Sequence, residues 1–170
     1  MLLRIVGAIC VVAGCGSVGF RISALYRHEE KCLRQLFEIV SYMGWELTYR
    51  MTPLPALCRQ ASKEKEGIVY SFFRDLADEL DSQISPDVAH CNLVCLEKQH
   101  NIPPITRNLI QNLGECLGQF DFDGQVNCLN AVKNEIQQQL EQHCKNKNVK
   151  IRSYQTLGLC AGAAIAILFM

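Results

Sequence analysis

Hydrophobic and polar positions divide this chain into three zones. Ile5–Phe20 reads IVGAICVVAGCGSVGF and Ser153–Met170 reads SYQTLGLCAGAAIAILFM, and neither carries a charged side chain. Between them, apolar residues recur every three to four positions, the period of a helix with one buried face. Leu33, Leu36, Phe37, Val40, Met43, Gly44 and Leu47 make one such stripe and predict a helix from Arg27 to Arg50. Thr52-Pro53-Leu54-Pro55 breaks it. Thr52 is expected to cap, and Pro53 to open, a short helix that reaches Lys65 and is closed by Gly67. Val69, Phe72, Phe73, Leu76 and Leu80 mark the next helix, with Asp75, Asp78, Glu79 and Asp81 on its wet side. Ser85-Pro86-Asp87 opens a helix to Gln99, and Asn101-Ile102-Pro103-Pro104 ends it. Ile105, Leu109, Ile110, Leu113, Cys116 and Leu117 follow, with Gly118 as the expected terminator. Asp121 is expected to cap a last helix that buries Val126, Leu129, Val132, Ile136, Leu140 and Cys144. No Gly or Pro occurs from Val126 to Leu157, so this helix is predicted to continue into the C-terminal apolar segment. No stretch alternates with period two. The expectation is an all-α bundle of five or six helices.

The apolar ends read as membrane spans. As helices they would be roughly 24 and 27 Å long, against a hydrocarbon core about 30 Å thick. Arg4 and Arg21 can reach the two interfaces from the shorter one, and Tyr154 lies where an interfacial aromatic belongs. The predicted organisation is an anchor over 1–22, a helical bundle over 26–152 and a second transmembrane helix over 153–170. Arg21, Arg27, Lys31 and Arg34 follow the first span, and Lys145, Lys147, Lys150 and Arg152 precede the second; only Arg4 lies beyond them. That asymmetry places the middle in the cytoplasm and both termini across the membrane. Two other readings exist for the first segment. One is a cleaved secretory signal. The other is a lipidation site at Val12-Ala13-Gly14-Cys15, which would make an exported helical binding module anchored through Cys15. The retained anchor is preferred, because such a tetrad arises readily in an Ala/Gly/Cys-rich apolar helix. In the second segment Gly158, Gly162 and Ala166 repeat at four, a spacing that lets helices approach closely in lipid. Ala13 and Ser17, or Cys15 and Gly19, offer a matching groove within the chain; homo-oligomerisation and chance recurrence are the alternatives.

Charge and chemistry narrow the function. The 17 basic and 17 acidic residues cancel, which argues against a nucleic-acid binder. Ten cysteines are scattered along the chain, several on apolar faces, and are expected to stay reduced as small hydrophobes. There is no phosphate-binding glycine loop ending in Lys-Ser/Thr, no His-Glu-x-x-His and no Gly-x-Ser-x-Gly. Cys91 and Cys95 share a helix face, but His90 points a quarter turn away and His100 lies past the helix end. Two core cysteines are a better reading than a metal site. Asp75, Asp78 and Glu79 lack a partner base or nucleophile and read as a solvated face. No catalytic residue, cofactor or metal is expected.

Two corners carry the remaining candidates. Trp45–Pro55 sets an aromatic residue, an acid and an arginine before a proline turn, and Glu46 and Arg50 have the i,i+4 order of a helix ion pair. Glu46, Arg50, Pro53 and Pro55 are candidate partner-binding residues, with a purely structural corner as the competing reading. Leu113–Gln125 places Gly114 inside a helix at a cost of up to about 1 kcal/mol, which close helix approach would explain. Gly118, Asp121 and Gln125 complete a stop-and-restart corner that is either a compact joint or a docking surface.

Taken together, the span ending in Gly19-Phe20, the Leu47–Pro55 corner, the Leu-Gly-x-x-Leu-Gly-x-x-Asp-x-x-x-Gln run at Leu113–Gln125 and the terminal span after a long helix resemble the stage III sporulation protein AB family of endospore-forming bacteria. The many cysteines and Phe122-Asp123-Gly124 depart from the expected pattern. The resemblance implies a non-enzymatic scaffold of the channel complex joining mother cell and forespore, in the mother-cell membrane around the forespore. It implies a soluble domain similar to the cytoplasmic domain of type II secretion inner-membrane platform proteins. The implied partners are a secretion-type ATPase, the stage III sporulation protein AA, and other membrane components of the complex.

Overall fold

The computed structural model describes residues 2–82, 87–119 and 123–145, with side chains described from residue 24 onward except at 118 and 119. The described residues form six helices and no strand. They are α1 (Leu2–Arg50), α2 (Leu54–Ala61), α3 (Ile68–Ser82), α4 (Val88–Lys98), α5 (Pro104–Gln119) and α6 (123–145). The first apolar segment and the first bundle helix are one continuous 49-residue helix. Among the described residues, no helix is long and apolar enough to cross a membrane. The side chains of the first predicted span, Cys15 included, lie outside the described residues. So does the whole second segment, with Gly158, Gly162 and Ala166.

The chain divides into two compact units. In the unit made of Met1–His28 and Glu141–Met170, the rings of Tyr26 and His143 meet edge to face at 6.0 Å. The other unit, Glu29–Leu140, holds the core. Leu33, Leu36, Ile39, Val40 and Met43 of α1 are buried with Leu57 and Cys58 of α2, Phe72 and Phe73 of α3, and Cys91 and Cys95 of α4. Ile110 and Leu113 of α5 and Leu129 and Ile136 of α6 complete the cluster. Apart from Ile39, Leu57 and Cys58, these residues are ones the sequence pattern places on buried faces, because burying apolar area is the dominant gain on folding and only one face per helix carries it. Cys144 is a correction: it was expected on the buried face of α6 and is exposed.

Polar groups tie the helices along their edges. Glu38 on α1 accepts hydrogen bonds from Lys65 (2.6 Å) and from the Tyr70 hydroxyl (2.5 Å). Arg59 on α2 pairs with Asp78 and Asp81 at 2.8 and 2.7 Å, and Lys98 on α4 pairs with Glu79 at 3.2 Å. Gln99 donates to Asp75 at 2.9 Å. The acidic face of α3, expected to be merely solvated, is therefore a seam to α2 and α4. Exposed pairs of this kind contribute little each, because solvent screens them.

Several helix boundaries differ from expectation. α2 stops at Ala61: beyond Ser62 the Lys63 and Lys65 N–H groups bond the carbonyls three residues back, of Gln60 and Ser62, at 3.2 and 3.5 Å, and the Arg74 guanidinium takes the Ser62 and Lys65 carbonyls at 3.4 and 3.1 Å. Gly67 opens α3 instead of closing α2: its carbonyl accepts from the Ser71 N–H at 2.9 Å. Its φ of +155° suits glycine, and a Cβ there would lie 2.0 Å from Nε2 of the buried Gln35. The cap of α4 is Asp87, whose Oδ1 accepts from the Ala89 and His90 N–H groups at 3.0 and 3.3 Å. α5 continues through Gly118 to Gln119, and Asp121 lies outside the described residues.

The expectation that all cysteines stay reduced is also corrected. Cys116 on α5 and Cys128 on α6 form a disulfide, with their Cα atoms 6.1 Å apart. They stand twelve positions apart in sequence. Facing positions on α5 and α6 bring the two thiols together, which no spacing rule reveals.

Candidate docking surface

The last turns of α1 divide their side chains sharply. Trp45 and Tyr49 are one helical turn apart, so they stand on the same face, with ring centroids 5.6 Å apart. The Arg50 guanidinium carbon lies 5.8 Å from the centre of the Trp45 ring. Met51 follows with φ +50°, a left-handed residue that ends the helix, and its N–H bonds the Leu47 carbonyl at 3.3 Å. Trp45, Tyr49 and Met51 are 52%, 72% and 70% exposed. Large apolar residues this open, adjacent to one another, are uncommon on a surface without a partner.

Glu46 points the other way and is only 1% exposed. Its Oε1 accepts from the Thr52 hydroxyl at 3.2 Å and from Arg50 at 3.5 Å. Its Oε2 has no hydrogen-bond partner among the described residues. The buried acid thus holds both ends of the turn: Arg50 on the helix and Thr52 beyond it. This use of Thr52 overturns its expected role as a helix cap. The N-cap of α2 is Pro53, whose carbonyl accepts from the Leu57 N–H at 2.9 Å. Pro55 falls in the first turn, where a missing N–H costs nothing.

Of the four residues predicted at this corner, Arg50 and Pro53 are exposed, Pro55 is half-buried and Glu46 is buried. Glu46 positions the surface and does not form part of it. The sequence reading left Trp45, Tyr49 and Met51 out of the candidate set. The signal that could have found them was their absence from the α1 stripe: none falls on the face marked by Leu36, Val40, Met43 and Leu47.

At the second predicted corner the described residues Gly114 and Gln125 make contacts between helices, while Asp121 lies outside the described residues. Gly114 lets α4 approach α5: a Cβ there would sit 1.9 Å from Nδ2 of Asn92. That buried amide donates to the Ile110 carbonyl at 2.8 Å. Gln125 reaches back from α6 to donate to the Leu117 carbonyl at 3.2 Å, satisfying one of the carbonyls that α5 leaves open near its end.

Elsewhere Cys91 and Cys95 are buried while His90 and His100 are exposed, so the four do not converge. No group of three His, Cys, Asp or Glu residues fit to hold a metal occurs among the described residues. Burial pushes the Cys95 thiol up to about 11 and the Cys58 thiol up to about 12, so both are protonated at neutral pH.

The described residues are those of a helical protein with an exposed cluster of Trp45, Tyr49, Arg50 and Met51 at the end of α1. The chain belongs to the stage III sporulation protein AB family, whose model matches residues 4–170. It is 22% identical over 173 residues to the stage III sporulation protein AB of Bacillus subtilis (strain 168), covering 99% of this chain and 100% of that protein. A solved structure of a stage III sporulation protein AB superposes with a TM-score of 0.64 at 18% identity. That match covers 72% of this chain and 98% of the other, and it establishes the shared helical fold.

Proposed function

We propose that this sporulation protein is a membrane-anchored, non-enzymatic scaffold of the mother cell–forespore channel complex. Its helical bundle docks a secretion-type ATPase, the stage III sporulation protein AA, onto the membrane assembly. The carrying observation is the Trp45–Tyr49–Arg50–Met51 cluster, held open at the end of α1 by a buried carboxylate. Tryptophan, tyrosine and arginine are the residue types that dominate binding energy at protein interfaces. Support for the membrane comes from the two uncharged terminal segments and the lysines and arginines flanking them, which put the bundle in the cytoplasm. The setting is the mother-cell membrane around the forespore, with other membrane components of the complex as neighbours. The bundle works there as the cytoplasmic domain of a type II secretion platform protein does.

The test is co-purification of the detergent-solubilised full chain with the ATPase. Replacing Trp45 and Tyr49 together by alanine is expected to weaken capture about a hundredfold or more. The helical circular dichroism of the variant should stay intact, because both side chains are mostly in solvent. Undiminished capture would refute the docking role of this surface.

A further inference from the structure

The reading above names a surface; the chemistry of that surface specifies what it accepts. Within Trp45–Pro55 the side chains that carry a formal charge at neutral pH are Glu46 and Arg50, and Glu46 is buried. The Arg50 side chain is 66% exposed, and its one acceptor among the described residues is Glu46 Oε1 at 3.5 Å. A guanidinium carries five N–H donors, so most of its capacity is unspent. The Trp45 indole N–H and the Tyr49 hydroxyl also have no hydrogen-bond partner among the described residues. The patch therefore presents one positive charge, further donors and three apolar bodies, with no exposed carboxylate of its own. Stacking near the Trp45 ring restrains the guanidinium, and a planar, pre-oriented fork matches a carboxylate better than a flexible ammonium does.

We propose that this corner accepts an apolar segment carrying an aspartate or glutamate, whose carboxylate is received by Arg50 while its apolar neighbours cover Trp45, Tyr49 and Met51. The occupant is an acidic-apolar segment of the docked ATPase, so the inference rests on the docking reading. Charge and hydrogen-bond complementarity select it: a basic or donor-rich segment would leave Arg50 facing a like charge or buried with Glu46 as its single acceptor.

The experiment measures binding of the purified ATPase to the full chain in detergent at two salt concentrations. Arg50→Glu is expected to lower affinity about a hundredfold and Arg50→Gln about tenfold, with Arg50→Lys intermediate between Arg50→Gln and wild type. Because Arg50→Glu sets a second acid beside Glu46, the neutral Arg50→Gln carries the conclusion if the reversal unfolds the corner. Added salt should weaken wild type more than Arg50→Gln. The lysine variant also supplies an amine at this position. A water-soluble carbodiimide should then join it to an aspartate or glutamate of the ATPase through an amide, the carbodiimide leaving as its urea. Binding unchanged in Arg50→Gln, or tighter in Arg50→Glu, overturns the inference. If the Trp45/Tyr49 double variant still fails to bind in that case, docking stands and only the acidic partner falls; if it too binds normally, both fall.

Discussion

Replacing Gly114 by alanine sets two effects of opposite sign against each other, and the structure decides between them. In an exposed helix this change would stabilise by about 1 kcal/mol, through helix propensity. Here the added methyl would lie 1.9 Å from Asn92 Nδ2 and 2.6 Å from its amide carbon, both far inside contact distance. Asn92 must move, and it then surrenders the 2.8 Å bond to the Ile110 carbonyl in a buried setting. A buried donor stranded in this way costs about 1–3 kcal/mol, and the displaced packing between α4 and α5 adds to it. The net expectation is destabilisation by about 1–3 kcal/mol, or a thermal midpoint lower by several degrees. Circular dichroism at 222 nm of the detergent-solubilised chain during heating reads it. The decisive control is Asn92→Ala. It removes the amide but keeps the Asn92 Cβ, which the new methyl would meet at 2.8 Å, so adding Gly114→Ala to it should still destabilise, but less than in the wild-type background, and the difference is the coupling that the double-mutant cycle reads. Stabilisation by Gly114→Ala in the wild-type background, or equal effects in both, would refute the account of this glycine as the gap that admits Asn92.

The Cys116–Cys128 bond closes a short loop between α5 and α6; replacing both by serine should cost roughly 3 kcal/mol relative to the oxidised protein, and adding dithiothreitol to wild type should lower its midpoint similarly. Glu38 is held below the usual carboxylate range by its hydrogen bonds from Lys65 and then from Tyr70. Its stabilising contribution is full at neutral pH and lost as pH falls through its depressed value, so Glu38→Gln should flatten the acid limb of a stability–pH curve. Tyr70 is pushed well above the ordinary phenol value, by burial first and Glu38 second. Its contribution is present below about pH 10 and declines above it as the unfolded chain ionises, which Tyr70→Phe should remove. Alkylation of the native protein, read by peptide mass spectrometry, should label the exposed Cys144 before the buried Cys32, Cys58, Cys91 and Cys95; early modification of Cys58 would contradict the core packing.

Much of this protein is written in local pattern. The stripes led by Leu36, Phe72, Leu113 and Leu129 determine helices and their buried faces, because a 3.6-residue period allows one solution for hiding apolar area. The Glu46–Arg50 pair follows from the same helical geometry. What local pattern does not contain is which helices face each other. The seam from α3 to α2 and α4, the Cys116–Cys128 bond and the partner of Gly114 all join residues on different helices, and helix-to-helix register is set by side-chain volumes meeting in three dimensions. The corner shows the same division most clearly. Along the chain Glu46 and Arg50 are equal candidates for binding; packing buries one as a brace and leaves the other outside beside Trp45, since they share a helix face and the core covers that face only as far as Leu47, one turn short of the helix end.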